Sequence, residues 1–279
     1  MTIAIWTLIF LAAALLLVLR ARVAGLGLLG AGYVLAVANG LLDWRAGIPL
    51  LLLVASAYAV APQRTLAWRA AGHVAFVGLA LGFGFHLLPG FHNPQVIGPV
   101  RLTPGAVPFT MYLNLDKPLA GFWLLLVWPS LQLHRGRWSW IQGLGIGLAT
   151  AAVAIGLAMA LHKIAFAPRW PELGWLWAIN NLFLVCLTEE ALFRGYLQEE
   201  LTRRLGERRG RGMIAIAVAG VLFGVAHVAG GPGYVLVAGL AGVGYGIAYR
   251  YGGLQASVLA HFGLNVVHFS LFTYPMLAS

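Results

Sequence analysis

A chain of 279 residues with 61% hydrophobic and only 9% charged positions cannot cover a water-facing surface, since a soluble domain has about a quarter of its residues charged. The net charge of +10 does not indicate nucleic acid, because the basic residues sit in short clusters between apolar runs, as loops touching an anionic membrane do. Lipid is therefore the expected main solvent, and nucleic acid is not expected as a partner.

Apolar runs long enough to span a bilayer fall at about 3–19, 23–42, 46–62, 70–89, 119–133, 138–162, 174–196, 213–229, 233–250 and 254–274. This predicts an all-α polytopic bundle of about ten transmembrane helices. The first run has no basic residue before it and is followed by Arg20 and Arg22, so it reads as a retained helix. The runs at 46–62 and 119–133 are short, and Pro129 interrupts the second. Between the fourth and fifth runs, Pro94, Pro99, Pro104, Pro108 and Pro118 forbid a continuous helix, so about 90–118 is expected to be an external loop.

Lysine and arginine divide unevenly between alternate loops. Loops after odd-numbered spans hold Arg20, Arg22, Arg64, Arg69, Arg135, Arg137, Arg203, Arg204, Arg208, Arg209, Arg211 and Arg250, with Arg194 at a helix end. The other loops hold only Arg45, Arg101, Lys117, Lys163 and Arg169. The bias makes the first set cytoplasmic and both termini external, in a multi-pass protein of the cell's inner or plasma membrane. Gly143 with Gly147, Gly220 with Gly224, and Gly242 with Gly246 have the four-residue spacing that lets helices approach closely in lipid. Cys186 is the only cysteine, so no intrachain disulfide can form.

Ionisable groups inside membrane helices are expensive, and each needs a reason. Glu189 and Glu190 follow the apolar run Leu182 to Leu187 and precede Ala191-Leu192-Phe193. Glu190 and Arg194 are four apart on one helical face and can pair. Glu189 points about 100° away, turned from Arg194 toward a neighbouring helix, as a general base requires. Two later runs add imidazoles: His227, one turn after Phe223, and His261, one turn before Asn265. Together these supply a base, two imidazoles and a hydrogen-bond donor, the set that acyl transfer to water needs. His268 lies on nearly the same face as His261 and is read first as a packing or interfacial residue, with membership of this set as the alternative; Asn180 and Asn181 are read first as packing residues, with lining of the cavity as the alternative. Counted along its run, His227 falls nearer the outside than Glu189 and His261 do.

The pattern Glu189-Glu190-x-x-x-Arg194, Phe223-x-x-x-His227, His261-x-x-x-Asn265 resembles the three motifs of the CAAX-protease and bacteriocin-processing family of intramembrane endopeptidases. It covers about 175–270. The resemblance implies a protease domain over 171–279 with its catalytic cavity in the last four helices. Residues 1–170 are left as helices of unassigned role. It implies that Glu189 and His227 activate water, that His261 and Asn265 stabilise the oxyanion, that Glu190 and Arg194 hold the glutamate helix, and that Phe223 packs beneath His227. The substrate is then a membrane-anchored protein or peptide within the lipid bilayer. No cofactor is expected to be required; the alternative is zinc held by Glu189, His227 and His261. A proton-coupled transporter would spread polar groups over many helices, and a non-catalytic scaffold would not need three complete motifs.

Overall fold

In the computed structural model, residues 2–128, 131, 139–206 and 210–278 are described. Pro129, Arg135, Arg137, Arg208 and Arg209, which figure in the span and charge assignments above, lie outside them. The helices are α1 (Ile3–Leu19), α2 (Arg22–Ala38), α3 (Trp44–Ala59), α4 (Leu66–Gly84), α5 (Pro118–Val127), α6 (Ile141–Ala160), α7 (Gly174–Leu205), α8 (Arg211–Val225) and α9 (Pro232–Leu271). Helices of this length and apolarity close all their backbone hydrogen bonds internally, as lipid demands.

The all-α expectation fits, with one small addition: strands β1 (Gln95–Val100) and β2 (Phe109–Tyr112) pair within the proline-rich segment. That segment is no helix, as expected, but proline is tolerated at strand ends and edges. Among the described residues, α4, α6, α7 and α9 are long and apolar enough to cross a membrane, and α1, α2, α3, α5 and α8 are shorter apolar helices. The ninth and tenth predicted runs correspond to two helical segments of α9 that meet at a kink at Gly253, whose non-helical φ of 74° and ψ of −167° suit glycine alone.

The chain packs as two compact units. The first comprises the described residues of Met1–Pro94, Tyr112–Pro129 and Phe183–Thr188. In it α1 packs on α2 and α3 on α4. Trp123 of α5 stacks on Phe76 at 4.0 Å and donates its indole N–H to the Leu53 carbonyl at 3.1 Å. A polar knot closes one of its ends. The buried Asp116 carboxylate takes hydrogen bonds from the His86 ring at 2.7 Å, the Asn93 amide at 3.0 Å and the Lys117 backbone N–H at 2.8 Å. Burial raises the Asp116 carboxyl, but these donors outweigh it and hold it below the usual aspartate range.

The second unit comprises the described residues of Gln95–Met111, Ser130–Leu182 and Glu189–Ser279. A compact body thus begins well before 171, because α6 packs along α9. Small residues make this contact: a Cβ on Gly143 would come within 2.3 Å of the Ala256 Cβ, and one on Gly147 within 2.9 Å of the Ala260 Cβ. Gly220 and Gly224 of α8 likewise lie against Gly239 of α9. The glycine pairs are packing seams, which is how two backbones approach without a hydrophobic driving force.

Candidate functional site

The site lies within the second unit and starts on α7. Its two glutamates occupy a short α-helical turn, Leu187–Glu190, between wider π-helical turns at Asn181–Cys186 and Ala191–Gln198. Such i→i+5 turns are rare and concentrate at functional sites. Glu190 and Arg194 are both fully buried. Arg194 Nη1 donates to Glu190 Oε1 at 2.9 Å, the pair that the four-residue spacing predicts, and Nη2 donates to the Gly242 carbonyl of α9 at 2.8 Å. The guanidinium lies over the Phe223 ring at 4.6 Å and 5.4 Å from the Tyr245 centroid. Ion pairing, a backbone acceptor and aromatic faces together compensate a charge that lipid would reject.

The same Glu190 oxygen receives a second donor. His261 Nδ1 lies 2.9 Å from Oε1. Because a carboxylate only accepts, Nδ1 carries the proton and Nε2 is the nitrogen left for other chemistry. The Tyr245 ring stacks on the His261 imidazole at 4.6 Å and 16°, and Phe223 meets it edge-on at 5.5 Å. Glu190 Oε2 is buried and accepts no hydrogen bond from the described residues.

His227 is held by a different device. Helix α8 ends at Val225, so His227 sits just past its end rather than deep in a longer span. Its Nδ1 donates to the Phe223 carbonyl at 2.8 Å, and the two rings lie 4.6 Å apart. A carbonyl also only accepts, so Nε2 again presents the lone pair of the neutral ring. The depth difference counted along the sequence does not separate the residues: His227, His261 and Asn265 line one cavity of about 60 Å³.

Asn265 Nδ2 donates to Asn181 Oδ1 at 3.1 Å, which makes Asn181 a partner of the site. His268 lines the cavity too, with Nε2 donating to the Thr273 carbonyl at 3.1 Å. Glu189, the residue before Glu190 on α7, is half-buried; it is not among the residues lining the cavity but acts electrostatically on both Arg194 and the cavity residue Tyr234. Sequence reasoning missed Tyr234, Tyr245 and Lys163. Tyr234 and Lys163 line the cavity, and Tyr245 both lines it and supports His261. The cavity also draws on Ala154, Ile155 and Ala158 of α6, which precede the 171–279 stretch that the resemblance implies.

A zinc ion held by Glu189, His227 and His261 was the alternative. Among the described residues, no three His, Cys, Asp or Glu side chains converge as a ligand set. Each imidazole is anchored through Nδ1, one to Glu190 and one to Phe223, which leaves Nε2 as the outward-facing nitrogen of both rings. No step below is routed through a metal ion.

Fold and site together define a membrane-embedded helical protein with a buried carboxylate–histidine centre. Residues 170–267 match the family described as "Type II CAAX prenyl endopeptidase Rce1-like". The C-terminal part of the chain is thus similar to that CAAX-protease family. No curated protein and no solved structure matches the chain.

Proposed function

We propose that this protein is an intramembrane endopeptidase that hydrolyses a peptide bond of a membrane-anchored protein or peptide with an activated water. The observation that carries the reading is the single cavity lined by His227, His261 and Asn265, with Glu190 and Arg194 locked behind His261. The family match over the same stretch supports it.

In this mechanism Glu189 takes the proton of the attacking water, assisted by the Nε2 lone pair of His227. The new oxygen–carbon bond forms as the scissile carbonyl becomes a tetrahedral oxyanion. Asn265 Nδ2 and His261 Nε2 donate to that oxygen. His261 can donate from Nε2 only while doubly protonated, and the Glu190 carboxylate then carries the counter-charge. Collapse breaks the C–N bond, and the proton held by Glu189 passes to the leaving amine. Arg194 and the stacked Tyr245 keep this geometry from relaxing. No metal is required. The loop charge bias supports an orientation with both termini external.

A proton-coupled transporter is the second reading, and the convergence of these polar groups on one cavity counts against it. Hydrolysis in ¹⁸O-enriched water separates the two. Purified protein in liposomes with a membrane-anchored peptide should give a product whose new carboxyl carries one ¹⁸O. Intact peptide after long incubation, or the same cleavage by Glu189→Gln, would refute the proposal.

A further inference from the structure

Resting on the proposed function, we infer that Lys163 forms a substrate subsite in the catalytic cavity, one that binds a carboxylate of the peptide. Lys163 is the one lysine or arginine among the residues lining the cavity, and no aspartate or glutamate lines it. Its side chain is half-buried, and its ammonium makes no salt bridge or hydrogen bond with any described residue. A cation lining the same space as two imidazoles and an amide is complementary to a negative charge brought in by the ligand.

The position is built rather than loose. Helix α6 ends in a left-handed turn at His162, with φ of 52°. Lys163 N–H donates back to the Ala158 carbonyl at 2.8 Å and His162 N–H to the Met159 carbonyl at 2.9 Å. These two bonds are the paired closure of a helix C-terminus. On the other side, the Leu277 N–H donates to the Lys163 carbonyl at 2.8 Å. The stem runs over Gly233, where an added Cβ would lie 2.8 Å from Lys163 Cε. Glycine there leaves room for the stem to lie along the start of α9. A lysine serving only to reach lipid headgroups would snorkel outward, whereas this one lines the cavity with the histidines.

The carboxylate has two sources, the free chain end of the peptide or an acidic side chain. Binding to purified full-length protein in detergent separates them, using Glu189→Gln so that turnover does not consume the probe. Three fluorescein-labelled pentapeptides of alanine and leucine serve: one with a free C-terminal carboxylate, one amidated, and one amidated with glutamate as its last residue. Fluorescence anisotropy should show the free carboxylate binding about tenfold or more tightly than the plain amide, as one charge-assisted hydrogen bond gives. Recovery by the glutamate peptide assigns the subsite to a side chain, and failure to recover assigns it to the chain end. Lys163→Gln should abolish the preference and Lys163→Arg should keep most of it. Equal binding of carboxylate and amide, no binding of any peptide, or an undiminished preference in a folded Lys163→Gln would overturn the inference. So would displacement of the peptide by phosphatidylglycerol in a Lys163-dependent manner, which would assign the charge to lipid phosphate. If Lys163→Gln does not fold, the carboxylate-against-amide ratio and Lys163→Arg still decide. Preference without hydrolysis would defeat only the endopeptidase reading; hydrolysis without preference would defeat only the subsite.

Discussion

One oxygen of Glu190 holds two partners at once: Oε1 lies 2.9 Å from His261 Nδ1 and 2.9 Å from Arg194 Nη1. The carboxylate is therefore both the counter-ion of a buried guanidinium and the orienting group of an imidazole. Stability and chemistry are coupled through a single atom.

Arg194→Leu leaves the Glu190 carboxylate buried without its guanidinium and should cost roughly 3–5 kcal/mol. Changing Glu190 to Gln in the same chain removes the stranded charge and should recover part of that loss. Thermal unfolding in detergent reads both. Single and double variants that melt together would show that the pair contributes nothing.

Glu189→Gln should behave differently from any change at Glu190. The swap keeps shape and most hydrogen bonding while removing the base, so turnover should fall by about 10²–10⁴-fold with the melting temperature unchanged. Peptide cleavage rates beside melting curves check it. A variant retaining a tenth of wild-type rate would show that Glu189 is not the base.

Asn265→Ala removes a proposed oxyanion donor and should lower kcat by about 10²–10³-fold with little change in KM. Activity should also survive chelation of divalent metal. Stoichiometric zinc, lost and restored in parallel with activity, would contradict the metal-free mechanism.

Gly143→Val tests the packing seam. The added side chain enters space already occupied by Ala256, and such overpacking costs typically about 1–3 kcal/mol. Gly145→Ala is the control, because a Cβ there meets nothing within 4 Å. Equal melting temperatures for the two variants would refute close α6–α9 packing.

Acid should loosen the polar knot of the first unit. The Asp116 carboxyl is held below its ordinary range, so its contribution is full above the unfolded aspartate value of about 3.9. That contribution is lost as pH falls through the lower folded value. Asp116→Asn should flatten this acid limb in a pH series of melting curves. An unchanged limb would show that the knot is not what titrates.

What was legible in the sequence was what helical periodicity carries. The Glu190–Arg194 pair follows from a four-residue spacing, and the proximity of Phe223 to His227 follows from another. Both survive although π-helical turns run through α7, because the pairs are local. What spacing could not supply was tertiary. Arg194 ends on the backbone carbonyl of Gly242, a group with no side-chain signature. Tyr245 reaches His261 from sixteen positions earlier, across the bend at Gly253. The hairpin of β1 and β2 was hidden by prolines that forbid helix without announcing strands. Helix ends were not legible from hydropathy, which measures composition, because they are decided by turns such as those after Ala38 and Val225.

The central claim is that Glu189 powers cleavage of membrane-anchored chains at this site. Its most direct measurement is quantitative mass spectrometry of protein C-termini in membranes expressing either the wild type or Glu189→Gln at equal abundance. The account predicts C-terminally shortened membrane-anchored proteins with the wild type and their loss with the variant. Identical sets of C-termini in the two membranes would contradict it.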